Sequence, residues 1–127
     1  MKKYSYIFLR LLIAAILIQT LRFKFTAHPD SVYIFTEVGL EPYGRIGIGI
    51  AELFAAILIL FQKTIWLGAA STLGIISGAI LMHLTQLGIE INNDGGVLFY
   101  TAVFLCILSS ITLWIERKNI PFIRSLF

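Results

Sequence analysis

Two residues of this chain that can exchange protons lie inside long apolar runs. Glu52 is the only acidic residue in the run from Gly44 to Phe61, nine residues after Tyr43, which is roughly 13 Å along a helix. A carboxylate in hydrocarbon costs roughly 2.5–3.5 kcal/mol on insertion scales, so such a residue is usually paired, protonated or used. His83 lies about one turn from the end of the third apolar run. Carboxylate and imidazole can accept and release protons, so the two predict a proton-handling pair.

Basic and amide side chains occupy the same half of the predicted membrane. Gln19, Arg22 and Thr26 recur at spacings of three and four, which places them on one helix face, and Lys24 is nearby. Arg45 comes seven residues, or two helical turns, before Glu52 on the same face. Three helices therefore each direct a polar group toward one level of the membrane. The predicted ligand-binding or proton-handling residues are Glu52, His83, Arg22, Lys24, Gln19 and Arg45.

Structural roles compete with this interpretation. Lys24 and Arg45 could extend to the lipid head groups, and Glu52 could form a buried ion pair with Arg22 or Lys24. One glutamate and one histidine without paired spacing do not predict a metal site, and Cys106 is the only cysteine. The sequence has no nucleophile elbow, P-loop or dinucleotide fingerprint. We therefore predict no catalytic residues and no catalysis by this chain on its own.

The composition requires a membrane to surround these residues. The chain is 58% hydrophobic and 13% charged, with a mean hydropathy of +0.89, which would expose large apolar patches on a soluble domain. A membrane helix needs about 20 apolar residues. Four segments qualify: residues 6–25, 43–61, 65–87 and 96–115. The sequence predicts an all-α, integral membrane four-helix bundle that forms a single domain over residues 1–127.

Basic residues set the predicted orientation. Three of the ten, Arg22, Lys24 and Arg45, lie near the outer boundary, and the other seven lie by the start of the first segment, in the link between the second and third, or after the fourth: Lys2, Lys3, Arg10, Lys63, Arg117, Lys118 and Arg124. With four crossings these seven all fall on one side, which the positive-inside rule makes cytoplasmic together with both termini. Arg10 interrupts a signal-like start that has no small-x-small cleavage site, so we expect an uncleaved first helix. The dispersal of these charges along helix ends excludes a nucleic-acid surface.

The first outer loop carries a helical pattern of its own. Val32, Phe35 and Val38 recur at helical spacing. Asp30 can cap the start of a helix, and Gly39 can end it in a left-handed conformation. We therefore predict a short amphipathic helix that lies in the outer interface.

Small residues predict helix contacts. Ala70, Gly74 and Gly78 form a ridge at intervals of four, which favours close approach of a neighbouring backbone. Three further small residues share the face of Glu52 and should place it against a helix instead of lipid: Gly49, Ala55 and Ala56.

An ordered series of short motifs resembles a known family. The series comprises Lys24 in LRFKF, His28-Pro29, Gly39-Leu40, Glu52-Leu53, and Ala79 with His83. In this order it resembles the DoxX-like family of small four-span bacterial membrane proteins, over nearly the whole chain. Relatives often have a glycine shortly before the basic residue of the first span, whereas this chain has Thr20 and Leu21. The resemblance implies a bundle in the bacterial cytoplasmic (inner) membrane, associated with a quinone-linked redox system, with Lys24, Glu52 and His83 at polar positions.

These observations lead to one main hypothesis and two alternatives. The main hypothesis is an accessory subunit in the lipid bilayer that receives a quinone head group and works with a redox protein or larger membrane complex. One cysteine and two histidines give no iron–sulfur cluster or haem-ligand pair, so electrons must come from such a partner. The alternatives are a carrier or channel for a solute or protons, which needs a homo-oligomer, and a structural assembly factor.

Overall fold

The computed structural model describes residues 3–26, 28–41, 43–91 and 95–120, apart from the side chain of Phe23. These residues form helices and turns, and no strand occurs among them. The five α-helices are α1 (Lys3–Phe25), α2 (Pro29–Glu37), α3 (Tyr43–Leu60), α4 (Ile65–Met82) and α5 (Val97–Ile115). A π-helical turn continues α4 over His83–Leu87, and short 3-10 turns occupy Gln62–Thr64 and Arg117–Asn119.

Four of the helical stretches are long and apolar enough to cross a membrane. They are Lys3–Arg22, Tyr43–Leu60, Gln62–Leu87 and Val97–Ile115. Each overlaps its predicted segment, which confirms the all-α membrane bundle. The bundle has a terminal end, which contains the start of α1, the turn between α3 and α4, and the end of α5. The opposite end, next to α2, is the α2 end.

The spanning helices form a ring in the order α1, α3, α4, α5. Ile13, Leu17, Ala55, Ile59 and Leu105 are almost fully buried between them. Contacts are extensive between successive helices, whereas α1 and α5, which close the ring, touch much less. The core therefore holds three sides of the bundle tightly and leaves the fourth side looser.

The closest approach of α3 and α4 occurs at Gly68, outside the predicted ridge. A Cβ atom at Gly68 would lie 2.6 Å from the backbone nitrogen of Ile59, so only glycine fits there. At Gly74 and Gly78 an added Cβ would meet no atom within 4 Å. The prediction of close backbone approach along this ridge is wrong at these two glycines, because no neighbouring atom lies within contact distance of either.

An arginine in the apolar part of α1 ties two helices together. Arg10 is buried, and its Nε donates to the carbonyl of Ile59 at 3.0 Å while Nη2 donates to that of Leu60 at 2.8 Å. The last carbonyls of a helix have no partner within it. Arg10 supplies that partner for α3, which explains why a charge is tolerated at this place.

Helix α2 has the predicted end but a different start. Its cap is His28, whose Nδ1 accepts a hydrogen bond from the backbone N–H of Asp30. Asp30 was predicted as the cap; the helix begins earlier because Pro29 fits the first helical position, where its missing N–H does no harm. Gly39 ends the helix at φ +77°, as predicted. Phe35 is buried, so α2 turns one face into the bundle instead of lying only along a membrane surface.

Candidate functional site

A cavity of about 530 Å³ lies inside the half of the bundle next to α2. All five helices and the π-helical turn contribute to its wall. Polar side chains line it near the α2 end, and apolar ones line the rest. The polar set is Thr20, Lys24, Asp30, Ser31, Glu52, His83 and Thr101. Gly74, Gly78 and Ala79 line the α4 side, so small residues create much of this space.

A buried ion pair forms one wall of the cavity. The Nζ atom of Lys24 lies 3.0 Å from Oε1 of Glu52, with the side chains 16% and 4% exposed. The hydroxyl of Thr20 lies 2.8 Å from the other carboxylate oxygen, Oε2, and 2.8 Å from the carbonyl of Leu17. Charge-assisted bonds of this kind are stronger than neutral ones. Glu52 is thus held by two groups of α1 at a defined place.

His83 is presented to the cavity by an unusual backbone. It begins the π-helical turn, which is closed by a 2.7 Å bond from the N–H of Gly88 to its carbonyl. Its Nδ1 lies 2.9 Å from the carbonyl of Gly88. Since a carbonyl only accepts, Nδ1 carries a proton, and whenever the ring is neutral Nε2 is an acceptor. Phe99 packs at 5.5 Å in an edge arrangement against the ring.

The turn depends on a backbone conformation that only glycine adopts readily. Gly88 has φ +78° and ψ 177°, in a region that is essentially closed to other residues. π-Helical turns within α-helices frequently occur at functional sites. Here the bond that fixes the imidazole joins His83, the first residue of the turn, to Gly88, the residue that follows it.

Three of the six predicted site residues line the cavity, namely Lys24, Glu52 and His83. Gln19 and Arg22 are exposed and are not among the lining residues. The reason is helix geometry: each residue turns the helix by about 100°. Arg22 stands two residues from both Thr20 and Lys24, so it faces nearly the opposite way.

Arg45 is the remaining predicted residue, and it is buried outside the cavity lining. Its Nε lies 2.9 Å from the carboxylate of Glu41, one turn earlier on the chain. Its Nη1 donates to the backbone carbonyl of Lys24. Arg45 therefore links α3 to the end of α1 that carries Lys24.

Sequence reasoning missed several lining residues. Thr20 precedes Lys24 by four positions and Ile16 precedes Thr20 by four, so this stripe of α1 could have been found from spacing. Ser31 of α2 is buried in the wall, and no pattern in the sequence links α2 to the cavity.

The cavity offers donors and acceptors at one end of an apolar chamber. Lys24 can donate, while Glu52 and Nε2 of a neutral His83 can accept. Within the described ranges, no three histidine, cysteine, aspartate or glutamate side chains are grouped to hold a metal ion. Comparisons with family models, curated proteins and solved structures find no match.

Proposed function

We propose that this protein is a membrane-embedded binding protein for a small lipophilic molecule with a polar head group, and that a quinone is the ligand. It would serve as an accessory subunit of a quinone-linked redox system in the bacterial cytoplasmic membrane, with both termini in the cytoplasm. One observation carries the proposal: the Lys24–Glu52 ion pair, with Thr20 beside it, stands in the wall of an apolar cavity.

The polar groups suit both forms of such a ligand. A quinone has two carbonyl oxygens, and the ammonium group of Lys24 can donate a hydrogen bond to one of them. A quinol has two hydroxyls, which can donate to Glu52 and to Nε2 of His83. The apolar remainder of the cavity suits a ring and its substituents, as in most ligand sites. The residues present therefore fit the group.

A partner protein completes the proposal. The single cysteine and the two histidines provide no redox centre, so electrons would reach the ligand from another protein. The DoxX-like resemblance of the sequence supports the same assignment. In this role the chain holds and positions the ligand and handles protons at Glu52 and His83.

The test is binding of a tailless benzoquinol, kept reduced and free of oxygen, to the purified protein in lipid nanodiscs, followed by isothermal titration calorimetry with empty nanodiscs subtracted; its hydroxyls can donate to Glu52. We expect saturable binding that Glu52→Gln weakens by about tenfold or more, because a hydrogen bond to a charged group contributes roughly 1.5–3 kcal/mol. Glu116→Gln is the matched control. Glu116 is also a buried carboxylate that accepts from a hydroxyl, that of Tyr6 at 2.7 Å, but at the terminal end.

Two results would contradict the proposal. One is the absence of saturable binding by the wild-type protein. The other is equal affinity of wild type and Glu52→Gln in folded samples. In either case the ion pair would serve only to fix the register of the helices, which is the role of an assembly factor.

A further inference from the structure

The fourth side of the bundle, between α1 and α5, borders the cavity. Ile16 and Thr20 of α1 and Leu98, Thr101 and Leu105 of α5 line the cavity; together they are called the seam. The helices α1 and α5 are the least closely packed neighbours in the ring. The cavity wall on this side is therefore made by side chains, with few contacts between helices behind them.

The other pairs of neighbouring helices pack more closely against each other. Ala55, Ala56 and Ile59 of α3 are at most 1% exposed, and the glycine contact at Gly68 brings α4 directly against the α3 backbone. Helices α4 and α5 pack along each other. At the α2 end, Phe35 is buried as α2 crosses the bundle. The α1–α5 side therefore has the fewest contacts between helices, and it is the side that part of a ligand too large for the chamber can most easily pass through.

The cavity has a polar and an apolar part. Lys24, Glu52 and His83 mark the part from the α2 end to the level of the ion pair. Farther toward the terminal end the wall is formed by Ile16 and Leu105, at least one turn beyond the polar side chains of their own helices. A head group at the ion pair would thus direct its apolar substituent toward Ile16 and Leu105, the residues of the seam that lie nearest the terminal end.

The volume limits what can be enclosed. About 530 Å³ is in the range of sites for a single small molecule, and a long isoprenoid chain does not fit in it beside a head group. We propose that the ligand is a long-tailed membrane lipid whose head group is enclosed by the bundle and whose tail leaves between α1 and α5 into the bilayer. This inference rests on the proposed function and assigns the seam as the entrance.

The experiment compares a tailless benzoquinone with the same head group carrying a polyprenyl tail, each at a known mole fraction in nanodisc lipid. For the wild type we expect the tailed form to bind at least as tightly. Thr101→Trp, which fills the seam, should lower the ratio of tailed to tailless affinity by about tenfold or more, equivalent to 1.4 kcal/mol per tenfold. Ile107→Trp is the control, since Ile107 is on α5 but 52% exposed, and its ratio should equal that of the wild type.

A second measurement uses only the wild-type protein, in case Thr101→Trp does not fold. A diazirine placed on the first isoprene unit of the tail should label α1 and α5 near Ile16 and Leu105, as mapped by mass spectrometry of peptides. Two results would contradict an entrance at the seam while leaving the proposed function intact. One is that the wild type binds the tailless form but not the tailed form, and the other is that labelling is confined to α2 and the π-helical turn. If neither quinone binds, the proposed function fails and this inference fails with it.

Discussion

Removal of one partner of the Lys24–Glu52 pair should destabilise the bundle strongly. In Lys24→Met the Glu52 carboxylate, 4% exposed, loses its cation and keeps only the hydroxyl of Thr20 at 2.8 Å. Breaking a buried pair in this way costs about 3–5 kcal/mol, most of it from the charge left behind. Glu52→Gln should cost less, because the long side chain of Lys24 is 16% exposed and can extend to the membrane surface.

The double variant Lys24→Met/Glu52→Gln separates pairing from packing. It leaves no buried charge at this position, and Thr20 can still donate to the glutamine oxygen. We therefore expect it to recover much of the lost stability, with a coupling of about 1–3 kcal/mol between the two sites. The measurement is unfolding in mixed micelles at increasing SDS, followed by the fluorescence of the two tryptophans of the chain.

Arg22→Met is the matched control, because it removes a basic group from an exposed place on the same helix. Its effect should stay within about 0.5 kcal/mol. The reasoning fails if Lys24→Met is as mild as Arg22→Met, or if the costs of the two single variants simply add in the double variant. Either result would mean that the 3.0 Å contact contributes nothing to the folded state.

Three further predictions use the same unfolding assay. Arg10→Leu should cost about 3 kcal/mol, since two carbonyls at the end of α3 lose a charged donor; a cost below that of Arg22→Met would contradict the capping role. Gly88→Ala should cost about 1–3 kcal/mol from its positive φ alone, since nothing lies within 4 Å of the added Cβ. The same change at two glycines of α4 should have opposite signs: Gly68→Ala destabilises by about 1–3 kcal/mol, because its Cβ would lie 2.6 Å from a backbone atom. Gly74→Ala stabilises by up to about 1 kcal/mol, and equal effects at the two glycines would refute this packing.

The membrane helices could be read from the sequence because hydropathy over about 20 residues is a local property. Each predicted segment overlaps the helix found. The sequence predicts the start of α2 too late. Asp30 and Pro29 are both residues that favour the start of a helix, and the observed helix begins at Pro29. The π-helical turn gave no signal at all. It requires a bond from the N–H of Gly88 to the carbonyl of His83, and nothing in residue types specifies that ring size.

Site residues could be predicted from the sequence where their depth in the membrane identified them. They could not be predicted where the rotation of a helix about its own axis was decisive. Glu52 and His83 follow from their position within apolar runs. Lys24 and Arg22 have similar depth, and the sequence alone did not show which of them faces inward. The contact of Thr20 with Glu52 at 2.8 Å fixes the rotation of α1, and with it the inward face. That contact joins two helices and becomes visible only in three dimensions.

The location of the ion pair bears on its purpose. A charged pair kept only to hold helices together gains nothing from bordering a cavity, because a buried pair can often be replaced by packed apolar residues without loss. Here Gly74 and Gly78 line the same cavity as the pair, and an added Cβ at either would meet no atom within 4 Å, whereas protein interiors are normally close-packed. A sequence selected for stability alone would close this space. The combination of a maintained void and a buried charge at its wall is expected for a site that receives a ligand, and the double variant tests it: a stable bundle that no longer binds the tailless quinone.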